Sequence, residues 1–199
     1  MGLIQLTENL RLSEPASVCL GTFDGVHLAH QQLIRDCVEE AEKRGLVPTA
    51  FTFERPPAML MQPDRSAFLL TSLKQKEEIL SSLGIQRTVY AFFTPAFAGQ
   101  PYDVFFERVL LEQLKAKHIV IGFHYRFGKN AIGNAEIMQR LCVQNGITCH
   151  VIPPVLTKDG TLVSSTAVRQ CILEGNRARA EEMLGRKLFE NEEKMLGGT

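Results

Sequence analysis

The sequence predicts an α/β fold built on a doubly wound parallel sheet. Short apolar runs of strand length alternate with amphipathic segments of helical spacing, and the alternation continues from residue 17 to residue 172. Glycines or Ser/Thr caps punctuate the joins. In such sheets ligands gather at the carboxyl ends of the strands.

Ser17–Leu20 is the first strand, and a turn from Gly21 leads into a helix with Leu33, Ile34, Cys37, Val38 and Ala41 on one face. Gly45 stops that helix, and Val47–Phe53 is the next strand. Pro56 and Pro57 break it, so residues 54–70 are expected to form a loop or short excursion over the sheet edge. Ser72 and Gln75 have capping-box spacing, heading a helix that turns Leu73, Ile79, Leu80 and Leu83 inward as far as Gly84. Arg87–Phe93 is a strand, residues 101–116 a helix, and His118–Ile121 a strand ending at Gly122. A glycine-containing loop precedes a helix over Glu136–Gln144 and a strand over Thr148–Ile152. Leu162 and Val163 lead into Ser164-Ser165-Thr166 and a helix bearing Val168, Cys171 and Ile172. The last dozen residues read as a frayed tail.

Composition narrows the function classes. With 199 residues and 45% apolar content the chain can bury a sizeable core. Lys plus Arg equals Asp plus Glu, 22 each, which argues against a general nucleic-acid binder. No signal peptide or membrane-length apolar run is present, so no membrane partner is expected. Five cysteines without a C-x-x-C pair read as buried free thiols, which suits a reducing, cytoplasmic setting. The histidines and cysteines show no metal-ligand spacing, so no structural zinc is expected.

The stretch Gly21-Thr22-Phe23-Asp24-Gly25-Val26-His27-Leu28-Ala29-His30 is the most informative of the chain. It sits on a strand-to-helix turn, where unpaired backbone N–H groups favour anions. Two imidazoles three residues apart beside those donors make a cradle suited to a polyphosphate.

Read together with Ser164-Ser165-Thr166-Ala167-Val168-Arg169, this decamer resembles the bacterial FAD synthetase family, the FMN adenylyltransferase module of bifunctional riboflavin kinase/FAD synthetases. The family pattern G-x-F-D-G-x-H-x-G-H is matched except that Ala29 replaces a glycine, and S-S-T-x-[IV]-R is matched in full. Residues 122–134 resemble the segment G-x-D-F-R-F-G with its second glycine, His124 standing where the family usually has Asp or Asn. Leu70-Thr71-Ser72 with Lys76, and Phe51-Thr52-Phe53 with Pro56-Pro57, resemble two further family segments.

The resemblance implies a Rossmann-like nucleotidylyltransferase fold and transfer of the adenylyl group of Mg·ATP to FMN, giving FAD and pyrophosphate. Residues 1–186 would form the adenylyltransferase domain and 187–199 a C-terminal tail, with no riboflavin kinase domain. ATP and FMN would be the partners and Mg²⁺ would arrive with ATP; oligomeric state is not legible. His27 and His30 would be catalytic, binding phosphate oxygens; the alternative for one of them is a helix N-terminal histidine bonded to backbone. Gly21, Phe23, Asp24, Ser164, Ser165, Thr166 and Arg169 would serve ATP. For Phe23 the alternative is packing beneath the nucleotide, for Asp24 holding the turn, for the Ser-Ser-Thr run an ordinary N-cap, and for Arg169 a salt bridge. Phe53, Pro57, Thr71, His124, Arg126, Phe127 and Asn130 would border FMN, against core packing or an exposed loop. Two other readings stand: a nucleotidylyltransferase acting on another phosphorylated acceptor, and a non-catalytic flavin or nucleotide binder.

Overall fold

The computed structural model describes residues 2–61 and 68–196. Its six strands are β1 (Leu3–Gln5), β2 (Ala16–Leu20), β3 (Val47–Phe53), β4 (Arg87–Ala91), β5 (Ala116–Gly122) and β6 (Thr148–Ile152). All pairings are parallel and the spatial order is β1-β4-β3-β2-β5-β6. All five residues of β2 are buried, as a central strand covered on both faces requires. From β2 the chain steps outward through β3 and β4, then returns to β2's other side for β5 and β6. The carboxyl ends of β2 and β5 therefore flank the topological switch point, where such sheets open a crevice.

The helices are α1 (Leu28–Arg44), α2 (Pro57–Met61), α3 (Leu73–Ser82), α4 (Pro95–Ala98), α5 (Tyr102–Val104), α6 (Ala135–Gln144), α7 (Ser165–Leu173), α8 (Arg177–Leu184) and α9 (Glu190–Glu193). α1 buries Leu33, Ile34, Cys37 and Ala41 and ends at Gly45 in the left-handed conformation (φ 63°). The capping box at α3 forms as the spacing predicts: Ser72 Oγ accepts from Gln75 N (3.2 Å) and Gln75 Oε1 accepts from Ser72 N (2.9 Å). Beyond α5 the helix widens to a π-helix over Phe105–Gln113. Its buried positions recur every four residues, at Phe105/Phe106, Val109/Leu110 and Gln113/Leu114, wider than the 3.6 of an α-helix. An i→i−5 ladder keeps that set on one face.

Phe51, Phe105, Phe106, Phe127 and Met138 pack one face of the sheet, and Leu33, Ile34, Leu80 and Ile85 pack the other beneath α1 and α3. A third cluster, with Leu70, Val168, Ile172, Met183 and Leu184, ties α7 and α8 together. All five thiols are free, and Cys37, Cys142 and Cys171 are buried as expected.

Several expectations need correction. The three-residue edge strand β1 is too short to show a periodicity. Part of the 54–70 excursion folds as α2, and residues 62–67 lie outside the described residues. The terminal segment packs rather than fraying as far as residue 196. Glu192 is fully buried, takes two hydrogen bonds of 2.8 Å from Arg186 and accepts from Phe189 N (2.7 Å), while Leu188 joins the third cluster. Finally, Asp36, His118 and His150 meet in space although no metal-ligand spacing marks them in the sequence.

Candidate active site

The turn between β2 and α1 is conformationally unusual. Phe23 (φ 47°), Gly25 (φ 80°) and Val26 (φ 45°) all adopt left-handed backbone, and for a β-branched valine that is a strained state. Strain of this kind persists only where neighbours over-determine it, and here they do. Asp24 Oδ1 accepts from Leu70 N and Thr71 N, both at 3.1 Å, while Oδ2 is ion-paired with Arg169. Gly25 N donates to Thr71 Oγ1 (3.0 Å), and Thr52 Oγ1 donates to Thr22 O (2.9 Å). A side chain at residue 25 would meet Leu70 Cδ1 at 2.8 Å, so glycine is required there twice over.

Phe23 is fully buried below the turn, its ring 5.1 Å from that of His30. Gly21 approaches that ring so closely that a Cβ would stand 3.2 Å from Phe23 Cζ. Asp24 is 1% exposed with both carboxylate oxygens engaged, so it braces the turn. Burial raises its pKa, and the Arg169 charge opposes that rise.

His27 is the N-cap of α1, its Nδ1 accepting from His30 N at 3.4 Å. The backbone-bonding alternative therefore holds for His27, and it fixes a useful tautomer: with Nδ1 accepting, the neutral ring carries its proton on Nε2. The two imidazoles stack with centroids 3.8 Å apart and planes inclined by 15°. Burial pushes His27 down to about 4 and His30 well below its ordinary value, so both are neutral near pH 7. His30 Nδ1 is buried without a hydrogen-bond partner, an unmet demand at the centre of the motif.

α7 starts beside this turn. Ser164 is its N-cap, accepting from Ala167 N (3.2 Å), while Ser165 Oγ donates to Asp24 O (2.9 Å) and Thr166 is exposed. Arg169, one turn on, also donates from Nε to Phe68 O (2.9 Å). Two helix N-termini, remote in sequence, thus share one hydrogen-bonded bracket. Lys76 completes it from α3. The lysine is fully buried, donates to Phe53 O (3.0 Å) and Thr52 Oγ1 (3.3 Å), and is held down to about 8 by burial against the pull of Asp24 and Glu54.

The flavin-side residues separate into two groups. Thr71 (1% exposed) is consumed by Asp24 and Gly25, and Phe127 lies in the core beside Phe105 and Tyr102, so neither presents a surface. Phe53 is half-buried and packs edge-on against Phe93 and Phe97 (both 5.5 Å), forming an aromatic wall with Pro57 at the start of α2 nearby in sequence. His124, Arg126 and Asn130 are exposed on the loop after β5, where His124 packs against Phe123 (3.6 Å). The Ala29 methyl turns toward the α7/α8 cluster, where it adds packing.

Comparisons with known proteins bear on the family and the fold. The chain is 29% identical over 187 residues to the bifunctional riboflavin kinase/FMN adenylyltransferase of Buchnera aphidicola subsp. Schizaphis graminum (strain Sg), covering 94% of this chain and 60% of that protein. The Escherichia coli (strain K12) protein of the same name is 31% identical over 93% of this chain and 59% of its own length. The chain therefore spans about three fifths of these relatives. A Streptococcus pneumoniae crystal structure named as a macrolide-efflux protein superposes with a TM-score of 0.82 at 29% identity, covering 94% of this chain and 63% of that one. A pantoate-beta-alanine ligase from Francisella tularensis, at 15% identity and a TM-score of 0.51 over 98% and 84% of the two chains, shares the fold. Residues 10–167 match the FAD synthetase family, and the chain belongs to that family.

Proposed function

We propose that the chain is an FMN adenylyltransferase: the FMN phosphate attacks the α-phosphorus of Mg·ATP, the α–β phosphoanhydride bond breaks, and FAD and pyrophosphate leave. The observation that carries this reading is the bracket joining the α1 and α7 N-termini through Asp24, with the stacked His27 and His30 at its edge. Adenylyl transfer asks little covalent chemistry of a protein. It needs two phosphate groups held in line and donors aimed at charge that develops on the phosphoryl oxygens.

His27 Nε2–H supplies one such donor, and neutral imidazoles become stronger partners as the polyphosphate draws protons toward them. The free N–H groups at the start of α7 and the Thr166 hydroxyl suit the β- and γ-phosphates. Arg169 positions the turn through Asp24 and adds positive potential at the same place. Mg²⁺ would come as the ATP complex, held largely by phosphates and water. The Phe53–Phe93–Phe97 wall offers the flat apolar surface an isoalloxazine ring needs.

Among the described residues no helix is long and apolar enough to cross a membrane, so nothing here favours the transport reading suggested by the pneumococcal structure's name. The test is direct: purified chain with ATP, Mg²⁺ and FMN, with FAD and pyrophosphate resolved by chromatography. Equimolar FAD and pyrophosphate, lost in His30→Ala, support the reading. A folded chain that binds both substrates and forms neither product overturns it in favour of a binding module.

A further inference from the structure

Toward the amino-terminal ends of the strands, three ligand-type side chains meet on the sheet face that α1 covers. Asp36 comes from α1, His118 from β5 and His150 from β6. The parallel register sets His118 beside Thr148 and Val120 beside His150, so both imidazoles rise from the same face. One ligand atom from each of the three residues lies within 4.8 Å of the other two. His150 Nδ1 stands 3.0 Å from Asp36 Oδ1, and His118 Nε2 stands 3.6 Å from the same oxygen. Bonds of about 2.0–2.1 Å to a tetrahedral ion put neighbouring ligand atoms about 3.3 Å apart. The two Asp36 distances bracket that value.

A second observation points at the same spot. The His118 side chain is fully buried and its Nε2 has no hydrogen-bond partner. A buried polar atom left unpaired costs about 1–3 kcal/mol, so it calls for an occupant. His118 Nδ1 lies 2.7 Å from Thr148 Oγ1, which already accepts from Arg44 Nη1 at 2.8 Å. The second lone pair of that hydroxyl can take Nδ1–H, and Nε2 then turns a lone pair toward a carboxylate. In that tautomer two acceptors face each other, and a cation between them satisfies both. An N–H bond on the far ring nitrogen is also the usual way a protein orients a metal-bound histidine.

We propose that Asp36, His118 and His150 bind a divalent first-row transition ion, Zn²⁺ by ligand type, which clips α1 to β5 and β6 with water as fourth ligand. Two imidazoles and one carboxylate suit Zn²⁺ far better than Mg²⁺ or Ca²⁺, which prefer all-oxygen shells. His150 is half exposed and gives the ion an entry path, while the other ligand atoms lie further in.

Chelator-stripped full chain titrated with ZnCl₂ in a calorimeter tests this. The expected result is one ion per chain, with affinity reduced at least tenfold in Asp36→Asn and in His150→Ala. Co²⁺ added to the stripped wild-type protein should give the visible bands of a tetrahedral site, absent from both variants. Circular dichroism checks that the variants are folded, and His150→Ala alters an accessible position that should tolerate truncation. Cys149→Ser, on the neighbouring strand position, should bind as the wild type does. The absence of saturable binding overturns the proposal, as does Zn²⁺ binding that survives both ligand substitutions or is abolished by Cys149→Ser. None of these readouts depends on FAD formation, so this assignment and the adenylyltransferase reading stand or fall separately.

Discussion

Two histidine pairs lie toward opposite ends of one sheet, and they are made in opposite ways. His27 and His30 are three residues apart, stacked at 3.8 Å where a strand becomes a helix. His118 and His150 belong to neighbouring strands, meet edge to face at 4.6 Å, and find Asp36 on a helix that crosses both. The first pair is made by local chain geometry and then locked from afar by Asp24 and Arg169. The second exists only once β5 and β6 are in register. A site of the first kind can be read from spacing, and one of the second kind can be read only from topology.

If the first pair depends on its distant lock, breaking the lock should give the largest effect. Asp24→Ala leaves Arg169 partly buried without its partner and frees two backbone N–H groups at residues 70 and 71, at a cost of about 3–5 kcal/mol. Urea denaturation would measure it, and a loss below about 1 kcal/mol would mean the turn is held locally after all. Next comes activity: His30→Ala should slow FAD formation 10²–10³-fold, about 3–4 kcal/mol, as loss of a phosphoryl donor does elsewhere. A KM change with unaltered kcat would instead assign His30 to uniform substrate binding.

The pair's burial also sets a pH signature of similar size. Folding keeps His27 neutral down to about pH 4, whereas the unfolded chain takes up its proton around 6.5. This contribution is complete above pH 6.5 and is lost as the pH falls through that window to about 4, amounting to about 3 kcal/mol. His27→Gln should flatten the acid limb of the stability profile over that range, and an unchanged limb would refute the assignment. Gly25→Ala should cost about 1–3 kcal/mol, combining left-handed backbone with a 2.8 Å clash, read from the shift in thermal midpoint. The smallest effect distinguishes packing from function at residue 29. Ala29→Gly should cost about 1 kcal/mol of stability through helix propensity and lost contact with the α7/α8 cluster.

The same contrast explains what was legible in the sequence. β3, β6 and the capping box of α3 follow from apolar runs and a cap pattern, because their determinants are contiguous. The decamer was legible for the same reason, including the possibility that one of its histidines bonds the helix backbone. Lys76 was legible only as part of a family-like segment, because a buried lysine runs against the ordinary burial preference. The packing of Thr71, Phe127 and the terminal segment was not legible because their contacts lie far along the chain. The π-helix was read as an ordinary helix, since apolar spacing of four or five fits both until the ladder is seen.

The packed terminal segment carries a mechanical consequence. Arg186 reaches Gly25 O (3.3 Å), Gln31 holds Leu184 O (2.8 Å), and Asn191 donates to Leu70 O (3.2 Å). Every one of these attachments ends on the β2–α1 turn, the first turns of α1 or the segment bracing Asp24. A pulling force applied at residue 196 would therefore be delivered to the nucleotide motif before it reached any strand of the sheet. In a single-molecule stretching trace the first rupture should report on the motif, and ATP analogues should shift that first event rather than the later shearing of the strands.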